Sequence, residues 1–309
     1  MTGSPSLRGL TPIQGFLLGV GTAVVSLLPW FVAGLQAPPM DGPPWLADAR
    51  GALLPLNLMT FVRLGGIVVL PGAAIGLVLR RGASGSTGRA AWAAAAGLAV
   101  VFAGATVQSL TVILPRLRPD SPAALNTVLG AVAVGILLVL SVVVCRLLAF
   151  GSVPAATVAA AVGAVAAGFW LPTLLLPPPG IVTEGAVPTE LMRALFRAVE
   201  LAPAVLTGLA LAWCGWTPLR RLAAWALAVL ILWIGPAALP VLAHWGTPGG
   251  PSLVAHFPLV LDDLERSLDS GLPYPVTALV IGVVGQLAVL LVRRRQRARQ
   301  AAVGAVPTA

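Results

Sequence analysis

The sequence predicts an all-α, polytopic transmembrane helix bundle of about eight spans, with both termini on the cytoplasmic side. Three observations carry this. Hydrophobic residues make up 58% of the 309 residues and charged residues only 9%, against about 25% charged in soluble domains. Eight apolar stretches approach the roughly 20 residues a helix needs to cross a bilayer. The charges are also sorted by type between the loops that join those stretches. A soluble globule so poor in charge would expose a large apolar surface and aggregate, whereas lipid stabilises such a surface.

The stretches run near 14–36, 52–79, 91–114, 125–149, 154–176, 202–217, 222–245 and 274–292. The first follows Arg8 and exceeds the roughly 7–15 apolar residues of a signal peptide, so it reads as an uncleaved span. The second is long and the sixth short. With the N-terminus inside, the external loops are 37–51, 115–124, 177–201 and 246–273. All ten acids then lie outside: Asp41, Asp48, Asp120, Glu184, Glu190, Glu200, Asp262, Asp263, Glu265 and Asp269. Arg8, Arg80, Arg81, Arg89, Arg146, Arg220, Arg221, Arg293, Arg294, Arg295, Arg297 and Arg299 lie inside. The positive-inside rule asks for this asymmetry, and a missed or extra span would scramble it.

The net charge of +9 would suggest nucleic acid in a soluble chain. Here the basic residues are topology signals, and no nucleic-acid partner is expected. All are arginine, and the abundance of Ala, Gly, Val and Leu fits a GC-rich, actinobacterial coding bias. The expected location is the inner (plasma) membrane, multi-pass. Residues 1–292 read as one transmembrane helical domain and 293–309 as a basic cytoplasmic tail, expected to be disordered. No loop is long enough for a separate domain, although the 82–88 stretch is a flexible linker by composition.

Cys145 and Cys214 stand far apart in apolar runs, without Cys-x-x-Cys or Cys/His spacing, and read as small hydrophobes. Gly15 and Gly19 form a Gly-x-x-x-Gly pair, and Ala159, Gly163 and Ala167 repeat the spacing. Such faces suit close helix packing, within the chain or in a homo-oligomer.

Two amphipathic helices are expected outside. In the first, following Pro188 and Thr189, Glu190, Arg193, Arg197 and Glu200 oppose Leu191, Met192, Leu195, Phe196 and Val199. In the second, near 258–270, Leu261, Leu264 and Leu268 alternate with Asp262, Asp263, Glu265 and Asp269 before Gly271. Glu190, Arg193, Arg197, Asp262, Asp263 and Glu265 are the candidate partner surface; packing on their own bundle is the competing reading.

Arg63 stands about twelve residues into the second stretch. A charge at mid-bilayer costs at least about 2.5–3.5 kcal/mol, so it must face protein or water. Three readings compete. Residues 52–63 form an interfacial or re-entrant segment that puts Arg63 at the outer headgroups; Arg63 pairs with an acid such as Asp41 or Asp48; or it binds a substrate. Gln108 and Gln286 are the other mid-span polar residues, expected to hydrogen-bond between helices. His244 and His256 fall near the outer interface. Prolines at 29, 71, 172, 236 and 240 could break helices around a site.

No Walker loop, His-Glu-x-x-His or Gly-x-Ser-x-Gly occurs. No catalytic residue, cofactor or metal site is nominated. Asp41 or Asp48 could imitate the first-loop acid of a membrane glycosyltransferase, in a loop short for that chemistry.

Ala-Leu-Leu-Pro-Leu (52–56), Arg-Leu-Gly-Gly-Ile-Val-Val-Leu-Pro-Gly (63–72) and Leu-Val-Leu-Arg-Arg-Gly (77–82) resemble the start of PerM-like proteins. These are actinobacterial polytopic membrane proteins associated with cell division, and the likeness covers about a quarter of the chain. The resemblance implies a non-catalytic role in stabilising division or envelope machinery and carries over no catalytic residue. The leading expectation is therefore a membrane scaffold or assembly factor that contacts lipid and other envelope or divisome proteins. The alternatives are a permease subunit, ATP-driven by a separate chain, and a lipid-linked envelope enzyme.

Overall fold

The computed structural model describes residues 10–36, 51–57, 60–81, 87–175, 190–245 and 256–304. Nine helices carry the described fold. They are α1 (Pro12–Gln36), α2 (Phe61–Arg81), α3 (Thr87–Ile113), α4 (Pro122–Phe150), α5 (Val153–Trp170), α6 (Glu190–Cys214), α7 (Leu219–Trp245), α8 (Phe257–Gly271) and α9 (Pro273–Gly304). Short turns follow α3 at Leu114–Arg116 and α5 at Pro172–Leu175. Eight of the helical stretches are long and apolar enough to cross a membrane, as the sequence predicts.

Local chemistry sets the helix ends. At α1, Thr11 Oγ1 accepts from the Gln14 N–H (3.3 Å) while Gln14 Oε1 accepts from the Thr11 N–H (3.0 Å), a reciprocal capping box. At α4, Ser121 Oγ accepts from the Ala124 N–H and Pro122 fills the first turn. The inner ends use arginine. Arg80 Nη1 donates to the carbonyls of Leu148 (2.7 Å) and Gly151 (3.3 Å), the acceptors an ending helix leaves open. Its guanidinium also lies 4.7 Å from the Trp213 ring centre, and Arg146 stacks likewise over Trp92.

Successive spans alternate in direction. Gly15 and Gly19 of α1 meet Ala90 and Ala94 of α3, and Gly72 and Gly76 of α2 meet Ser141 and Cys145 of α4. Gly208 of α6 meets Ile281 of α9, where Gly282 and Gly285 meet Leu211 and Ala212 in return. Each pair therefore runs parallel. The largest buried cluster joins α1–α4, and smaller ones fill α5–α9. The two halves meet on α5, whose Ala156, Ala159 and Ala166 belong to the first cluster and whose Ala161 and Val165 belong to the others. Alanine and glycine all round α5 let it pack on α2, α4, α6 and α7 together.

The second helix begins at Phe61 and residues 51–57 are irregular, so the 52–79 stretch is not one continuous helix. Three expectations need revision. The sixth span is not short. The first amphipathic segment and the span are one continuous helix, α6, with Pro203 buried inside it. The last helix continues beyond 292 to Gly304, with Arg293 to Gln296 helical and exposed. In α8 Val260 and Gly271 are buried and Leu264 and Leu268 are half-buried, while Leu261 is 49% exposed. The loop at 82–86, Pro188 and Thr189, and the chain after 304 lie outside the described residues.

The Gly-x-x-x-Gly pair of α1 is committed inside the chain. A Cβ on Gly19 would collide with the Ala94 carbonyl, whereas Gly21, two residues on, faces open space. Gly19→Ala is expected to destabilise the bundle by about 1–3 kcal/mol. Gly21→Ala should leave it unchanged or slightly more stable. Thermal unfolding of the two variants in detergent checks the contrast.

Candidate functional site

The outer half of the first cluster contains a stretch of non-helical backbone, residues 51–57, with Ala52, Leu54 and Leu56 buried. Irregular backbone at this depth must find partners within the protein. Gln108 of α3 supplies two: its Oε1 accepts from the Leu53 N–H (3.0 Å) and its Nε2 donates to the Gly51 carbonyl (2.7 Å). Ser109 Oγ accepts from the Leu54 N–H (2.9 Å). Asn126 of α4 donates to Asn57 (2.8 Å), and Thr60 Oγ1 donates to the carbonyls of Pro55 and Asn57 just before α2 starts. Gly51 sits at φ +80°, where an L side chain would be strained. Gln108 thus bonds to an irregular segment, not to another helix as expected. A side-chain amide can replace a backbone partner in this way because it carries both donor and acceptor.

This clamp places Arg63 in the first turn of α2, at the outer end and exposed. It does not reach mid-bilayer. No carboxylate pairs with it among the described residues; Asp41 and Asp48 lie outside them. A cation there opposes the helix dipole, so Arg63 does not help α2 to start.

Arg63 and Val62 border a cleft between α2, α5 and α7. Its upper chamber, about 390 Å³, is completed by Gly168, Phe169, Pro172, Thr173, Pro240 and His244. A lower chamber of about 310 Å³ shares Gly168, Phe169 and Pro172. Val165 and Leu232 line its depth, and Phe196, Val199 and Pro203 of α6 form its far wall, with Pro236. Both volumes fall in the range of small-molecule sites, about 300–1,000 Å³. The cleft lies where Pro172, Pro203, Pro236 and Pro240 interrupt helical hydrogen bonding. Along α7, Leu232, Pro236, Pro240 and His244 mark successive turns rising about 18 Å from floor to rim. Arg63, Thr173 and His244 line the upper chamber, and Glu200 lines the lower one, where the Tyr274 hydroxyl donates to its carboxylate (2.8 Å).

The chain matches no protein-family model, no curated protein and no solved structure.

The remaining sequence candidates are dispersed. Gln286 is buried near the middle of α9, and a Cβ built on Gly215 would lie 3.4 Å from its Nε2 and from Arg221 Nη1. That turn is tied by Arg221 to the Cys214 carbonyl (3.0 Å) and by Trp225 Nε1 to the Gly215 carbonyl (3.0 Å). Glu190 and Arg193 pair at 2.8 Å on α6, with Arg197 exposed one turn on. Asp262 and Asp263 both bind Arg266, at 2.6 and 2.9 Å, on α8, and Glu265 is exposed beside them. Asp263 also accepts from Trp245 Nε1 (3.0 Å), and Trp233 Nε1 donates to the Leu268 carbonyl (2.9 Å). Asp263 is therefore an anchor of α8 on α7 as well as a surface charge. His244 and His256 pack against Trp245, at ring distances of 5.5 and 5.8 Å. Sequence reasoning missed Ser109, Asn57 and Asn126, and the Glu200–Tyr274 bond, whose partners are 74 residues apart.

Gln108→Leu would strip the Leu53 N–H and Gly51 carbonyl of their partners. The expected loss is about 1–3 kcal/mol per group left unsatisfied. Hydrogen exchange read by mass spectrometry should show deprotection concentrated at residues 51–57, with α6–α9 unaffected.

Proposed function

We propose that this membrane-helix bundle acts as a non-catalytic scaffold or assembly factor for envelope or cell-division machinery, engaging another membrane protein through its outer surface. The observation that carries the reading is α8. Trp233 and Trp245 fasten this helix to α7, yet it leaves Phe257, Leu259 and Leu261 half exposed beside Asp262, Glu265 and Asp269. An anchored helix with mixed apolar and acidic exposure is a ready interaction surface, since little ordering remains to be done on binding. The buried polar side chains of the described core are all uncharged, which favours a static bundle over an ion-coupled carrier. The resemblance of the first two spans to PerM-like proteins points the same way.

A second reading, the permease subunit of an ATP-driven transporter, is favoured by the outer cleft alone. Tagged protein solubilised from its native host separates the two. Co-purification of envelope or division proteins supports the scaffold; stoichiometric recovery of an ATPase replaces it with the permease. Neutralising the exposed acids of α8 (Asp262→Asn, Glu265→Gln, Asp269→Asn) should reduce partner recovery about tenfold, equivalent to roughly 1.4 kcal/mol. Asp263 is left intact so that α8 stays docked.

A further inference from the structure

We propose that the outer cleft is a binding site for an anionic phospholipid of the outer leaflet, its headgroup phosphate on Arg63 and an acyl chain in the lower chamber. This goes beyond the scaffold reading and does not depend on it. The upper chamber carries Arg63, Thr173 and His244, and the lower one is mainly apolar, with Val165, Phe169 and Leu232 and with Glu200 and Tyr274 as its polar pair. Its rise of about 18 Å along α7 is close to the hydrocarbon depth of one leaflet, about 15 Å.

Charge decides the class of headgroup. Arg193 and Arg266, also on the outer side, are neutralised by neighbouring carboxylates. Arg63 pairs with none among the described residues, and a phosphate offers its guanidinium two parallel acceptors. Glu200 carries the opposite charge and lines the lower chamber from an exposed position on α6, with one carboxylate oxygen engaged by Tyr274. It repels an anion from that side, so the phosphate belongs beside Arg63 and the chain beneath Phe169.

The test uses the full chain in detergent, given phosphatidylglycerol, phosphatidylcholine with identical chains, or soluble glycerol phosphate. Retained lipid is read by native mass spectrometry and melting temperature. Phosphatidylglycerol should be retained about tenfold more than phosphatidylcholine and should raise the melting temperature. Arg63→Gln should abolish the preference, and Arg63→Lys should keep part of it. Because Arg63 is exposed and has no carboxylate partner among the described residues, the lipid-free variants should melt like the wild type. Equal retention of the two lipids by the wild type, or a preference that survives in Arg63→Gln, overturns the proposal. Stabilisation by glycerol phosphate equal to that by phosphatidylglycerol also overturns it, since the site would then bind a bare anion and have no use for the chain.

Discussion

Helices in lipid gain no hydrophobic free energy from meeting one another, so their association depends on how closely their backbones can approach. This constraint explains the placement of nearly every contact in the bundle. The parallel pairs α1–α3, α2–α4 and α6–α9 are each closed by glycines set against the backbone or first side-chain carbon of the opposing helix. α5 extends the principle from one face to a whole circumference. With Ala156, Ala159, Ala161 and Ala164 all buried, it contacts both halves of the protein. Dispersion between close-packed atoms is weak per contact and large in sum, so a thin central helix is worth more here than a bulky one.

Much of the architecture was legible in the sequence because bilayer thickness and charge asymmetry leave coarse signatures. Twenty apolar residues and a flanking arginine identify a span whatever its neighbours are. The places where that reading slipped share a cause: hydropathy reports solvent preference, not backbone geometry. Residues 51–57 are as apolar as a helix, but Gln108 and Ser109, 55 residues away, take up their N–H groups. The amphipathic outer turn of α6 looked like a separate surface helix because its periodicity changes, although its backbone does not. Arg293 to Gln296 are as polar as a loop and still helical, since helix propensity and membrane preference are different quantities.

The cleft was only half visible. Arg63 declared itself by its cost, whereas Pro172, Pro236 and Pro240 were weak signals because proline is common in transmembrane helices, and nothing in a linear chain shows that these four residues converge. Glu200 and Tyr274 were invisible as a pair, since each alone reads as an ordinary interfacial residue. Ser26 and Trp170 behave the same way: the indole donates to the Ser26 carbonyl (2.9 Å) across 144 residues and ties α5 to α1. Pairings of such long separation leave no local pattern to read.

The glycine contacts have a consequence for how the gene can vary. Every glycine codon begins with two guanines, and only its third base is free. Any missense change at the first two positions adds at least one carbon, and there is no smaller residue to fall back on. Gly15, Gly19, Gly72 and Gly76 therefore divide substitutions cleanly into silent and damaging ones. Gly21, Gly65 and Gly104, which face open space, should accept alanine. In aligned natural variants, the bundle's interior would appear as glycine codons that drift only at the wobble base.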